Sequence, residues 1–409
     1  MTLFGWWRAG DAEARRALIA SALGWMLDSF DVMLYALVLR SMMPDLGLTT
    51  SAAGLIASAT LVAAAGGGVA FGVIADRYGR TRALMASVLI YSVFTAACGL
   101  AQNIAQLAVF RVLLGIGMGG EWASGATLVS ETWPAEHRGK ALGFMQSAWA
   151  IGYGAAALVT GLVLPRWGWR AVFFVGILPA VLTLWIRLKV REPALWRDAR
   201  AQPAATRGRF TDMFRPGLRG LTLAVTLMNA FTLFAWWGFN LWLPGYLSQP
   251  VASGGMGLST RRMALFVFAM QIGMWFGYVT FGFVSDIVGR KRTYVTYLLT
   301  AAVLIAAYVS IHAPLALFLL GPFVAFFSTG YFSGFGAVTA EIYPTAIRGT
   351  AQGFTYNMGR LASAAAPFTV GSLAQTHGFR TALLLTSVAF VLAALTWTAI
   401  PETRGRELS

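Results

Sequence analysis

The chain has 409 residues, of which 57% are hydrophobic and 11% charged, with a mean hydropathy of +0.66 and a formal net charge of +15. Soluble domains carry about 25% charged residues, so this composition excludes an ordinary soluble enzyme and assigns the chain to lipid. A single cysteine, Cys98, rules out an intrachain disulfide; His137, His312 and His377 fall in loops or at span ends, so no metal site and no cofactor is expected.

The chain begins with a short basic, Trp-bearing segment, residues 1–15, suited to the membrane surface. Apolar stretches long enough to cross the hydrocarbon core as helices then recur to the C-terminus. They lie at about 16–40, 52–75, 83–101, 105–130, 141–164, 170–188, 220–246, 263–285, 293–312, 316–340, 350–374 and 380–400. Span 1 is not a cleavable leader, because it contains two aspartates and no small-residue cleavage site follows it. Glycines cluster inside span 2 (Gly66, Gly67, Gly68) and span 4 (Gly115, Gly117, Gly119, Gly120), where they allow close helix approach. The predicted fold is therefore all-α and integral to the membrane. Twelve transmembrane helices form two pseudo-symmetric six-helix bundles, residues 1–190 and 219–409. An Arg-, Ala- and Pro-rich linker, 191–218, joins them and reads as a tether.

The high positive charge invites a nucleic-acid reading, but its distribution opposes one. Outside the termini and the even-to-odd loops, loops hold only Arg40, Arg166, Arg170, Arg261, Arg262 and Arg380, and spans hold Arg111 and Arg360. Basic loops stay in the cytoplasm. Both termini are thus expected inside, in a multi-pass protein of the cell inner membrane with the bilayer as its surroundings and no nucleic-acid partner.

One register relates the two halves. Gly72-Val-Ile-Ala-Asp76-Arg77-Tyr-Gly79-Arg80 reads again 210 positions later as Gly282-Phe-Val-Ser-Asp286-Ile-Val-Gly289-Arg290. At the same shift Glu131-Thr-Trp-Pro134 with Arg138-Gly139 matches Glu341-Ile-Tyr-Pro344 with Arg348-Gly349, and Gly168-Trp169-Arg170 matches Gly378-Phe379-Arg380. Asp76 ends span 2 beside Arg77 and Arg80, where an acid can cap the positive end of a neighbouring helix. Glu131 and Arg138 bracket the next loop on the same side.

The doubled Gly-x-x-x-Asp loop, the twelve spans and the paired halves resemble the major facilitator superfamily. The segments at Glu131 and Glu341 and the tail Pro401-Glu402-Thr403-Arg404-Gly405 resemble its sugar-porter and organic-ion branches. Gly24-Trp25-Met26-Leu27-Asp28-Ser29-Phe30-Asp31 is similar to the span 1 signature of organic-acid:proton symporters, including the sialate/lactate and aromatic-acid groups, with Ser29 in place of the usual glycine. The resemblance implies that Asp76 caps span 11 across the bundle interface. It also implies a cytoplasmic gate formed by Asp76, Arg77, Arg80, Glu131 and Arg138 with Asp286, Arg290, Glu341 and Arg348. It further implies a cavity lined by spans 1, 4, 7 and 10 and closed at its sides by spans 2, 5, 8 and 11.

Charges inside spans are costly unless paired or hydrated, so by default they are functional. They are Asp28, Asp31, Arg111, Glu121 and Arg360. Asp28 and Asp31 share one helical face. Asp28 lies roughly 18 Å, and Arg360 about 15 Å, along its span from the cytoplasmic end. Two carboxylates so close repel when both are ionised, and a proton on one relieves the repulsion. Asp28, Asp31 and Glu121 are therefore the candidate proton carriers. Arg360 offers a planar fork for a carboxylate. Arg111 is a second candidate for pairing with span 1 or with substrate, and it lies too far along span 4 from Glu121 for those two to touch.

Polar and aromatic positions at helical spacing complete the candidate substrate set: Gln146 and Trp149 on span 5, Trp236 and Asn240 on span 7, Gln271 on span 8, Tyr331 on span 10, and Tyr356 and Asn357 on span 11. The expected function is uptake of a small organic monocarboxylate with a proton, by a monomer using alternating access. A sugar or polyol symporter or facilitator, and a drug/proton antiporter, are the alternatives. An enzyme is excluded by the lack of any nucleophile–base or metal constellation.

Overall fold

The computed structural model describes residues 5–190, 192, 210–344 and 347–404, so most of the expected linker, residues 193–209, lies outside the described residues. Every regular element among them is helical. The α-helices are α1 (Gly5–Ala9), α2 (Ala12–Leu46), α3 (Thr50–Tyr78), α4 (Arg80–Cys98), α5 (Ile104–Thr132), α6 (Ala135–Val175) and α7 (Ala180–Lys189). They continue as α8 (Arg219–Ser248), α9 (Thr260–Val288), α10 (Arg290–Tyr308), α11 (Pro314–Thr329), α12 (Phe335–Ile342), α13 (Arg348–Ser363) and α14 (Ala365–Thr396).

Helix ends follow local chemistry. Asp11 accepts the Ala14 N–H at 2.7 Å to start α2, and Gly47, at φ 64°, ends it. Asn103 accepts the Gln106 N–H at 2.9 Å to start α5. Each such N-cap contributes about 1 kcal/mol.

Nine segments of the described residues are long and apolar enough to cross a bilayer. Two of them, His137–Val175 and Thr350–Thr396, have 39 and 47 residues. As straight helices these would run about 60 and 70 Å, against a hydrocarbon core of about 30 Å. Each is broken by a glycine in the left-handed region that other residues avoid: Gly168 (φ 75°, ψ 176°) and Gly378 (φ 80°, ψ 162°). These are the two copies of the repeated Gly-Trp/Phe-Arg segment. Trp169 donates its indole N–H to Asp45 at 2.7 Å, and Arg170 lies over the Trp169 ring at 4.1 Å, fixing the first break.

The chain divides into two compact units. The first comprises Met1–Thr49, Ala59–Pro203 and Ser259–Phe268; the second comprises Thr50–Ser58, Ala204–Leu258 and Ala269–Ser409. In the first unit α2 packs along α6 and α5, and α4 packs along α5 and α7. Small residues permit the approach: a Cβ on Gly152 would collide with the Met26 backbone. In the second unit α8 packs along α14 and α13, and α10 along α14 and α11. The Trp242 indole donates to the Pro367 carbonyl at 3.0 Å and locks α8 to α14.

Three expected elements are revised. Expected span 6 is interrupted by a turn between α6 and α7, capped at Gly176. Expected span 10 is split by a 3-10 turn, Gly330–Gly334, where the Tyr294 hydroxyl donates to the Tyr331 carbonyl at 2.8 Å. The end of the expected linker is folded: Phe210–Phe214 form a 3-10 helix, Met213 is buried, and its carbonyl accepts from Thr222 at 2.8 Å.

Candidate functional site

The repeated register produces the same ion pair twice. In the first unit Arg80 grips Glu131, with Nη2 to Oε1 at 2.9 Å and Nε to Oε2 at 3.2 Å. In the second unit Arg290 Nη2 meets Glu341 Oε1 at 3.1 Å, while Nη1 meets Asp286 at 2.5 Å and the Ser285 hydroxyl at 2.7 Å. Arg77 is exposed, Arg138 is half-buried, and Arg348 donates to the Tyr343 carbonyl at 3.2 Å. The side chain of Asp76 lies outside the described residues.

A second repeated pair was not anticipated from the sequence. Glu192 accepts the backbone N–H groups of Thr81 (3.2 Å) and Arg82 (3.3 Å) at the start of α4. Glu402 accepts those of Arg290 (2.8 Å) and Lys291 (3.2 Å) at the start of α10. Each carboxylate thus serves a positive helix end. The preceding Gly79 (φ 117°) and Gly289 (φ 108°) leave the room that a Cβ would fill. Burial pushes the Glu402 carboxyl upward, but the N–H donors of Arg404, Arg290, Lys291 and Thr403 outweigh it and hold it below the usual carboxylate range. The signal was present: Glu192 and Glu402 sit in the same 210-residue register as the other repeats.

Deep in the first unit Asp28, Asp31, Glu121 and Arg111 are all buried, with exposures of 0, 0, 0 and 2%. Arg111 lies over the Tyr35 ring, 4.5 Å from guanidinium to centroid. The charges of both Asp28 and Arg111 act on Asp31. Gly176 is the wall beside it: a Cβ there would stand 3.0 Å from Asp31 Oδ1 and collide with Thr95. Glu121 is seated on α2, its Oε1 2.5 Å from where a Gly24 Cβ would be. The Tyr91 hydroxyl donates to the Gly24 carbonyl at 3.2 Å, so it also reaches this cluster. Tyr35, Tyr91, Thr95 and Gly176 were missed by sequence reasoning, because nothing in an apolar span marks which face meets a carboxylate. Nearby, the Ser29 hydroxyl donates to the Trp149 carbonyl at 2.7 Å, and the Trp25 and Trp149 rings lie 4.6 Å apart. Gln146 is half-buried on α6.

In the second unit Arg360, 3% exposed, lies over Tyr356 at 5.8 Å. Tyr356 meets Phe335 at 5.7 Å between centroids. Asn357 donates to Gly353 O at 2.9 Å, and Asn240 donates to Trp236 O at 3.1 Å, so both amides have a partner on their own helix. The Trp236 ring makes edge contacts with Trp237 and Phe332, and the Tyr331 hydroxyl reaches the Thr232 carbonyl at 3.5 Å. Gln271 and Tyr278 are buried on α9. Gly359 lets α13 approach α8 at Asn229.

Titratable side chains buried within long apolar helices are the anatomy of a membrane carrier. Comparison with known proteins specifies which kind. The family model described as Major Facilitator Superfamily matches residues 20–260 and 247–408, and the chain belongs to that family. It is 32% identical over 390 residues to the sialic acid transporter NanX of Escherichia coli, covering 94% of this chain and 93% of that one. It is 31% identical over 396 residues to the cis,cis-muconate transport protein of Acinetobacter baylyi, covering 95% and 94%. Among solved structures it is similar in fold to a D-xylose–proton symporter, with a TM-score of 0.77 at 22% identity over 97% of this chain and all of that one. The relatives are transporters, and this chain is a membrane transporter rather than an enzyme.

Proposed function

We propose that the protein takes up a small organic monocarboxylate together with a proton. The observation that carries the reading is the buried set Asp28, Asp31, Glu121 and Arg111, because three buried carboxylates, two of them close to one arginine, suit a group that gains and loses a proton. Arg360, over the Tyr356 face, is the proposed anchor for the substrate carboxylate, with Arg111, Tyr356, Asn357, Asn240, Trp236, Gln146, Trp149, Tyr331 and Gln271 completing the site. Relatives named for sialic acid and muconate support an organic acid over a neutral sugar.

The chain crosses the inner membrane twelve times, in bundles 1–190 and 219–409 joined by 191–218, and works as a monomer with both ends in the cytoplasm. The glycine breaks in α6 and α14 support this topology, since each divides a segment too long for one crossing. Arg80–Glu131 and Arg290–Glu341, each paired within its own bundle, belong to the proposed cytoplasmic gate of an alternating-access cycle.

The test is uptake of labelled carboxylates by purified protein in vesicles with an inward proton gradient. The gradient raises uptake and a protonophore abolishes the rise. Uptake indifferent to both sinks proton coupling, and uptake of sugars but no acid sinks the substrate class.

A further inference from the structure

The buried cluster contains a group that the carboxylate–arginine reading leaves without a task. Tyr91 is fully buried on α4, and its hydroxyl is turned toward α2, where it donates to the Gly24 carbonyl at 3.2 Å. Two packing contacts fix it there. Gly117 of α5 lies against the Tyr91 backbone, with 2.8 Å from its Cβ position to Tyr91 N, and the Ser87 hydroxyl ties α4 to the Gly117 carbonyl at 2.8 Å. Glu121 follows Gly117 by one turn of α5, on the same face.

Gly24 is the meeting point. Its carbonyl holds the Tyr91 hydroxyl, and its bare Cα receives Glu121 Oε1. Asp28 lies one turn further along the same face of α2, with Asp31 beyond it. The charges of Glu121, Asp28 and Asp31 all act on the Tyr91 hydroxyl. Around Asp31 stand Arg111, Thr95 and Cys98. A phenol hydroxyl is a donor and an acceptor in one atom.

We infer that Tyr91 relays protons between Glu121 and the Asp28/Asp31 face. This rests on the symport reading above. The step conserves atoms and charge: the phenol passes its proton to one carboxylate as its oxygen accepts a proton from the acid on the other side. The tyrosine ends as it began, and nothing is oxidised or reduced. The hydroxyl swings from the Gly24 carbonyl to the adjacent Glu121 oxygen during transfer. Gly24 is required because any side chain would displace that oxygen.

The experiment compares wild type with Tyr91→Phe, which keeps the ring and removes only the hydroxyl. Both are placed in vesicles and read for gradient-driven uptake, substrate counterflow at equal pH, and a solvent deuterium effect. A positioned proton-transfer group is worth roughly a hundredfold or more in rate. Tyr91→Phe should therefore lose net gradient-driven uptake by about that factor. It should keep counterflow and half-saturation near the wild-type values, and lose the wild-type deuterium effect. Gradient-driven uptake and deuterium effect equal to wild type would overturn the relay, as would equal loss of uptake and counterflow, which marks a packing role. If wild type itself shows no proton coupling, the symport reading fails and the relay falls with it. Coupling in wild type with an indifferent Tyr91→Phe removes the relay alone.

Discussion

Arg80 holds Glu131 through two guanidinium nitrogens, with Nη2 2.9 Å and Nε 3.2 Å from the two carboxylate oxygens. Both side chains are mostly shielded from solvent, 11% and 20% exposed, so the pair differs from a loose surface contact. A double-mutant cycle with Arg80→Ala and Glu131→Gln should return a coupling energy of about 1–3 kcal/mol from thermal or denaturant unfolding in detergent. A coupling near zero would remove the pair from the stability of the first unit.

Glu402 gives a signed pH dependence. Its carboxyl is held below the usual range by backbone donors, against burial, so its folded value lies under its unfolded value of about 4.3. Its contribution is therefore complete above the unfolded value and is lost as pH falls through the folded value. Melting temperatures of wild type and Glu402→Gln should differ at pH 7 and converge as the pH is lowered past that range. A difference that persists in acid would show that charge at this cap is irrelevant.

Arg360→Lys replaces a fork with a point charge over Tyr356. Carboxylate binding should weaken by about 10–100-fold, the worth of a hydrogen bond to a charged group, with the protein still folded. Titration of binding by isothermal calorimetry or thermal shift checks this, and unchanged affinity moves the anchor elsewhere.

Asp31→Asn keeps the size of the side chain beside Gly176 and Thr95 and removes the titrating charge. Counterflow should persist while accumulation against a gradient disappears. Loss of both assigns Asp31 to a fixed structural pair with Arg111.

Much of this was legible beforehand. Apolar runs are read directly because lipid demands self-satisfied helices, and the doubled Arg80/Glu131 and Arg290/Glu341 positions are one register apart. The five charges within spans stood out because hydrocarbon tolerates so few. Tyr91 did not, since a tyrosine in an apolar helix reads as packing, and only the approach of α4 to α5 at Gly117 aims its hydroxyl at Gly24. Glu192 was hidden by its arginine-rich surroundings, although Glu402 marks its register. The Gly330–Gly334 turn was also invisible, because an apolar run does not distinguish 3-10 from α geometry.

The most direct test follows protons rather than substrate. Vesicles containing the protein and a trapped pH dye, at equal pH across the membrane, receive an organic acid shown to be a substrate, with a potassium/valinomycin clamp on voltage. Coupled entry of proton and substrate acidifies the lumen as substrate enters, in wild type but not in Asp31→Asn. Substrate entry with no change in lumenal pH would contradict it.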